Sequence, residues 1–163
     1  TALFYFSGHG VQHDGVNYLA PLKASLNSEL DLDLEFIHAR RVESAMAAVS
    51  EGAKILLLDA CRDTPFRSFS RTSSKGLAQM DAASGTLIGY ATAPGKLASD
   101  GRGTNSPFVR GLLEALDQPG IPIEQVMKIT RQRVASLTEG EQIPWSASSL
   151  VGDFYFYPVA AGE

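Results

Sequence analysis

Leu3-Phe4-Tyr5-Phe6-Ser7-Gly8-His9-Gly10 is an apolar run of strand-forming residues that stops abruptly, leaving one imidazole between two glycines. A second run answers it. Lys54-Ile55-Leu56-Leu57-Leu58-Asp59-Ala60-Cys61-Arg62-Asp63 is equally apolar and ends in the only cysteine of the chain. Continuous apolar runs of this length read as strands buried on both faces, as in a parallel sheet. Between them, Val42, Ala45, Met46 and Val49 fall at i, i+3, i+4 and i+7, the spacing of one helix face, and Gly52 suits the stop. Strand, helix and strand in this order make a βαβ unit.

Outward from that unit, residues 2–6 read as the first strand, 8–15 as loop and 16–20 as a short strand closed by Pro21. Residues 22–34 read as an irregular connection. Residues 62–84, with Arg67, Ser68, Ser70, Arg71, Thr72, Ser73, Ser74 and Lys75, have little to bury and read as an exposed linker. Residues 86–91 form a third strand stopped by Pro94-Gly95. Pro107 opens a helix through Leu116, residues 123–137 form another, and the aromatic residues 153–157 read as a closing strand. The fold class is α/β. In open α/β sheets ligands bind outside the carboxyl ends of the parallel strands, where His9, Cys61 and the loop after Ala93 fall.

The 163 residues allow one sizeable core and no second ordinary domain. A net charge of −4 gives no reason to expect nucleic acid or an anionic membrane as partner, and no apolar run approaches the roughly 20 residues that span a bilayer. One cysteine excludes an internal disulfide. Single, scattered histidines around it lack the spacing of a metal site, so neither metal nor cofactor is expected. The expected location is cytoplasmic. Because Thr1 stands inside an apparent buried strand, the expectation is that further residues precede it.

A cysteine attacks as thiolate, and a nearby imidazole takes its proton and later protonates the leaving group. His9 and Cys61 suit those roles if their strands are neighbours. The amides of Gly10 and Cys61 are candidates for the oxyanion hole, since glycine lets the backbone approach closely. The plainer alternatives are a buried filler cysteine and a turn histidine. His13 and His38 read as surface residues.

Phe4-Tyr5-Phe6-Ser7-Gly8-His9-Gly10, Asp59-Ala60-Cys61-Arg62-Asp63 and Tyr90-Ala91-Thr92-Ala93-Pro94-Gly95 also carry a resemblance. They are similar to the histidine motif, the Gln-Ala-Cys-Arg-Gly motif and the Ser-Thr-Ala-Pro-Gly run of caspase-like cysteine peptidases, nearest the bacterial branch by metacaspases and paracaspases. The third is followed by a helix opening at Ser106-Pro107-Phe108. His9 lies about 50 residues upstream of Cys61, as in that family. The resemblance implies a caspase-like three-layer αβα sandwich around a mostly parallel sheet. It divides one domain, residues 1–163, into a large-subunit-like part (1–61), the linker (62–84) and a small-subunit-like part (85–163).

The departures from caspases bear on specificity. Caspases cleave after aspartate, using a Gln two residues before the cysteine and an Arg just after the Pro-Gly loop. Those positions hold Asp59 and, at or near it, Asp100. Carboxylates repel a P1 aspartate and favour Arg or Lys, Arg above all for its bidentate fork. The resemblance therefore implies an endopeptidase with a His9–Cys61 dyad that cleaves after Arg, then Lys. Trp145 is a candidate subsite wall or a core residue. Residues 96–100 suit backbone pairing with an extended substrate. Arg67, Arg71 and Lys75 are candidate self-cleavage points, or part of a loop that is never cut.

The family's sheet begins with a strand-helix-strand unit ahead of the histidine strand, which is absent here. An N-terminal portion or a partner chain is expected to complete the sheet. The expected partner is otherwise a peptide or protein substrate. The competing readings are a catalytically silent scaffold or sensor module and an Asp-specific peptidase. Silent relatives usually lose the histidine or the cysteine, and this chain keeps both.

Overall fold

The computed structural model describes residues 1–61, 76–101 and 103–159, with Cys61 described in its backbone alone. The first strand, β1 (Ala2–His13), runs 12 residues, well past the two glycines expected to end it. Its true stop is Asp14-Gly15, where both residues take positive φ (49° and 77°), the geometry of a two-residue hairpin with the right-handed twist of its strands. The chain returns antiparallel as β2 (Val16–Leu19), pairing Gly10 with Leu19 and His13 with Val16.

A short helix, α1 (Glu29–Glu35), replaces the irregular connection expected there. Its start is held by the Asp31 carboxylate, which accepts from the N–H groups of Asn27 and Ser28 at 2.7 and 2.8 Å. Those bonds pull the Asp31 carboxyl below the usual carboxylate range. β3 (Ile37–His38) then pairs with β2 and leads into α2 (Ala39–Val49). Within α2 the apolar face is narrower than its spacing suggested: Met46 is buried and Val42 half-buried, but Ala45 and Val49 are exposed.

β4 (Lys54–Cys61) runs parallel to β1, and β5 (Thr86–Tyr90) parallel to β4. Two helices follow, α3 (Pro107–Leu116) and α4 (Ile123–Leu137). The last strand is β6 (Trp145–Ser148), antiparallel to β5, rather than the aromatic residues 153–157. Phe154 and Phe156 instead pack on the α3–α4 core, and the Phe154 carbonyl accepts from Ile123 N–H at the start of α4.

The sheet order is β3-β2-β1-β4-β5-β6. Its core is parallel, and helices cover both faces, so the architecture is α/β. On one face Ile55, Leu57 and Leu87 meet Phe108, Leu112, Val126 and Met127 of α3 and α4. On the other, Leu56, Leu58, Ile88 and Tyr90 meet Ala39 and Met46 of α2. Each such side chain, fully buried, contributes about 1.5–3 kcal/mol, and they lie mostly on β4 and β5.

Residues 76–84, expected as the end of an exposed linker, are packed against the α2 face. Leu77 and Met80 are buried. Asn17 holds Ala78 twice, donating to its carbonyl and accepting from its N–H, each at 2.7 Å. Met80 N–H donates to the Tyr90 hydroxyl and Ala83 N–H to Glu43. Leu77 and Met80, a lone pair after a long polar stretch, gave no sign of this. The remainder of the expected linker, with Arg67, Arg71 and Lys75, lies outside the described residues.

β1 is partnered unevenly. Residues 2–9 pair with β4, whereas β2 meets only residues 10–13. The α3–α4 layer stops short of it, leaving Leu3 and Tyr5 exposed. Among the described residues no helix is long and apolar enough to cross a membrane.

Candidate active site

The β1–β4 ladder ends where the candidate residues stand. Its last three rungs pair Ser7 with Asp59, Gly8 with Ala60 and His9 with Cys61. Neighbouring strands lie about 4.8 Å apart, so register alone makes His9 and Cys61 adjacent. His9 sits within the long β1, at the end of its parallel pairing, and its side chain is exposed. Its carbonyl accepts from Ala20 N–H at 2.9 Å, which pins the backbone just where the partner strand changes from β4 to β2.

Gly10, the next residue, is buried. A Cβ there would lie 2.8 Å from Leu77 Cδ2 and 3.0 Å from the Ala60 Cβ, so Leu77 and Ala60 leave little room for a side chain at this point.

Asp59 is two residues before Cys61 and fully buried, at 0% exposure. It forms the floor of a cavity of about 400 Å³, whose polar lining comes from Tyr5 and Ser7 on β1 and from Thr104, Asn105 and Ser106 ahead of α3. Apolar residues of α3, among them Val109 and Leu113, close one side. Ser106 donates its hydroxyl to Asp59 Oδ2 at 2.6 Å, and the Tyr5 hydroxyl donates to the same oxygen at 3.3 Å. Asp59 Oδ1 is buried without a hydrogen-bond partner among the described residues. Burial raises the Asp59 carboxyl above the usual aspartate range; the two hydroxyls pull it down and the charge of Asp100 pushes it further up.

Asp100 itself is exposed and does not line the cavity. It sits in a turn closed by Gly101 N–H donating to Ser99 Oγ, with Gly101 at φ +73°. Residues 95–99 border a separate, wider groove toward the end of α4. There Gln142 accepts from Ser99 N–H and donates to the Ala91 carbonyl, tying the loop to the end of β5. Trp145, expected in a loop, is the first residue of β6, paired with Tyr90 and 41% exposed.

His13 and His38 are half-buried rather than superficial. His38 Nε2 lies 3.2 Å from Asp33, and its ring packs edge-on to Tyr18. His13 Nε2 lies 3.7 Å from both Asp14 and Glu29. Both stand beyond the β1–β4 ladder.

Five polar residues of the cavity were not singled out by sequence: Tyr5, Ser7, Thr104, Asn105 and Ser106. Tyr5 and Ser7 share the parity of His9 along β1, a signal that was readable. Ser106 was legible only as a helix start.

Comparison with known families agrees with the motifs. The family model described as the caspase domain matches residues 1–155, and the chain belongs to that family of cysteine peptidases. No curated protein matches the sequence.

Proposed function

We propose that this member of the caspase-domain family is an endopeptidase in which Cys61 is the nucleophile, His9 the general base and acid, and Asp59 the acceptor of a basic P1 side chain. The observation that carries the reading is the pairing of His9 with Cys61 at the end of a parallel ladder, two rungs from Asp59 and its cavity. His9 takes the proton from Cys61 Sγ as the thiolate attacks the scissile carbonyl carbon. The oxygen becomes an oxyanion, for which the amides of Gly10 and Cys61 are the donors. The C–N bond then breaks, and the amine leaves with the proton from His9. Water attacks the thioester with His9 again as base, releasing the carboxylic acid and regenerating the thiol.

A buried carboxylate in a cavity otherwise uncharged among the described residues favours a cation there and repels a P1 aspartate. Asp100, close enough to raise the Asp59 carboxyl, adds to the negative potential at Asp59. Arg is favoured over Lys, since two parallel N–H groups match one carboxylate. Trp145 is a candidate wall for a subsite further along the substrate. Arg67, Arg71 and Lys75 are candidate points of self-cleavage. Among the described residues β2 pairs with residues 10–13 of β1 and not with the part of β1 that pairs with β4, which supports the addition of a strand there, from the same polypeptide or from a partner.

The test is a set of fluorogenic peptides differing only at P1 (Arg, Lys or Asp), given to the wild type and to Cys61→Ala. Cleavage after Arg above Lys, none after Asp, and none by the variant is the expected pattern. Cleavage after Asp but not Arg would overturn the role of Asp59. Hydrolysis by Cys61→Ala at the wild-type rate would overturn the role of Cys61.

A further inference from the structure

Among the described residues Asp59 is held by one oxygen only: Ser106 Oγ and the Tyr5 hydroxyl both donate to Oδ2, while Oδ1 is buried with no hydrogen-bond partner among them. A carboxylate placed this way has an unfilled acceptor, and a cationic ligand supplies the missing donors. Ser106 also does a second thing with the same atom. Its Oγ accepts from Val109 N–H at 3.1 Å, capping α3, with Pro107 as the first helical residue. Because its one proton goes to Asp59 and a lone pair takes the helix amide, the hydroxyl orientation is set from both sides. The start of α3 and the carboxylate on β4 are therefore joined through a single oxygen.

We infer that Ser106 is a positioning residue for P1 recognition: it fixes the Asp59 carboxylate by Oδ2 and keeps Oδ1 as the acceptor for a guanidinium or ammonium group, with Tyr5 as a longer second tether. This rests on the reading of Asp59 as the P1 acceptor. Thr104 and Asn105, which border the same cavity, are carried on the segment that Ser106 anchors.

Substitution by glycine separates the two tasks of Ser106, because glycine caps a helix nearly as well as serine but has no hydroxyl to give Asp59. The experiment is calorimetric binding of a short peptide with one central arginine to the uncleaving Cys61→Ala protein. Ser106→Gly, Ser106→Thr and Asp59→Ala are compared in that background across pH, with the melting temperature of each recorded. Ser106→Gly is expected to weaken binding about tenfold, the scale of a hydrogen bond to a charged group. Loss of that donor also raises the Asp59 carboxyl, so the acid limb of binding moves to higher pH. Ser106→Thr restores both. Unchanged affinity and acid limb in Ser106→Gly, with binding lost in Asp59→Ala, would overturn this inference and leave the role of Asp59 standing. A lower melting temperature with an unmoved acid limb would reduce Ser106 to a helix cap and overturn it equally. Binding by Asp59→Ala as strong as by its parent, or none by the parent, would overturn both.

Discussion

His9 is paired with Cys61 across the last rung of the parallel β1–β4 ladder. Beyond it β1 continues, but beside β2 instead of β4. The change of partner places an exposed imidazole on a backbone that is hydrogen-bonded along both neighbouring strands, a rigid support for the proton-moving role proposed for it.

The role proposed for Asp59 makes substrate binding sensitive to acid. Burial raises its carboxyl, so it takes up a proton at a higher pH than an ordinary aspartate. Affinity for a P1 arginine peptide is expected to fall on acidification, beginning above the usual aspartate range. For stability the sign is opposite. With the folded value above the unfolded one, the folded state binds more protons between the two, so stability falls as pH rises through the folded value. Asp59→Asn is therefore expected to gain melting temperature relative to wild type as pH rises from about 4 to neutrality, while losing the P1 arginine preference. Paired thermal scans across pH check it; an advantage of the variant that shrinks with rising pH would contradict it.

Gly10 is fixed by packing. Adding a methyl group puts it 2.8 Å from a flexible leucine end and 3.0 Å from the Ala60 Cβ. Gly10→Ala is expected to cost about 1–3 kcal/mol in urea denaturation, the range of an overpacked core. Adding Leu77→Ala relieves the closer contact, so the double variant should lose less than the sum of the single losses.

The segment 76–84 is held by side chains rather than by secondary structure. Tyr90 is buried, with its hydroxyl pushed up to about 12, and accepts from Met80 N–H at 3.0 Å. Tyr90→Phe leaves that amide without an acceptor, and a loss of about 1–3 kcal/mol is expected. Asn17→Ala removes both bonds to Ala78 and should speed amide exchange at Ala78 and its neighbours far more than at β4.

The parallel core was legible because strands buried on both faces carry unbroken apolar runs, as residues 55–58 do. The Asp14-Gly15 hairpin was equally present, but Gly8 and Gly10 drew the strand end forward, since the crowding by Leu77 at Gly10 comes from distant sequence. α1 was hidden by Glu29-Leu30-Asp31-Leu32-Asp33-Leu34, whose alternation mimics a strand while only Leu32 is buried. Phe154 and Phe156 alternate like a strand for a different reason: they pack beneath a helix pair. At the candidate site, His9 and Cys61 stand at the strand ends and could be named from order, whereas Asp59 was named only through the family resemblance. Ser106 could not, because its bond to Asp59 joins residues brought together only by the fold.

The most direct measurement is covalent. A peptide with arginine at P1 and an electrophilic ketone in place of the scissile bond is added to the protein, and the modified residue is found by mass spectrometry. The account predicts one adduct, on Cys61, formed much more slowly in His9→Ala and not formed by the same peptide with aspartate at P1. Labelling that is as fast in His9→Ala, or that proceeds equally with aspartate, would contradict it.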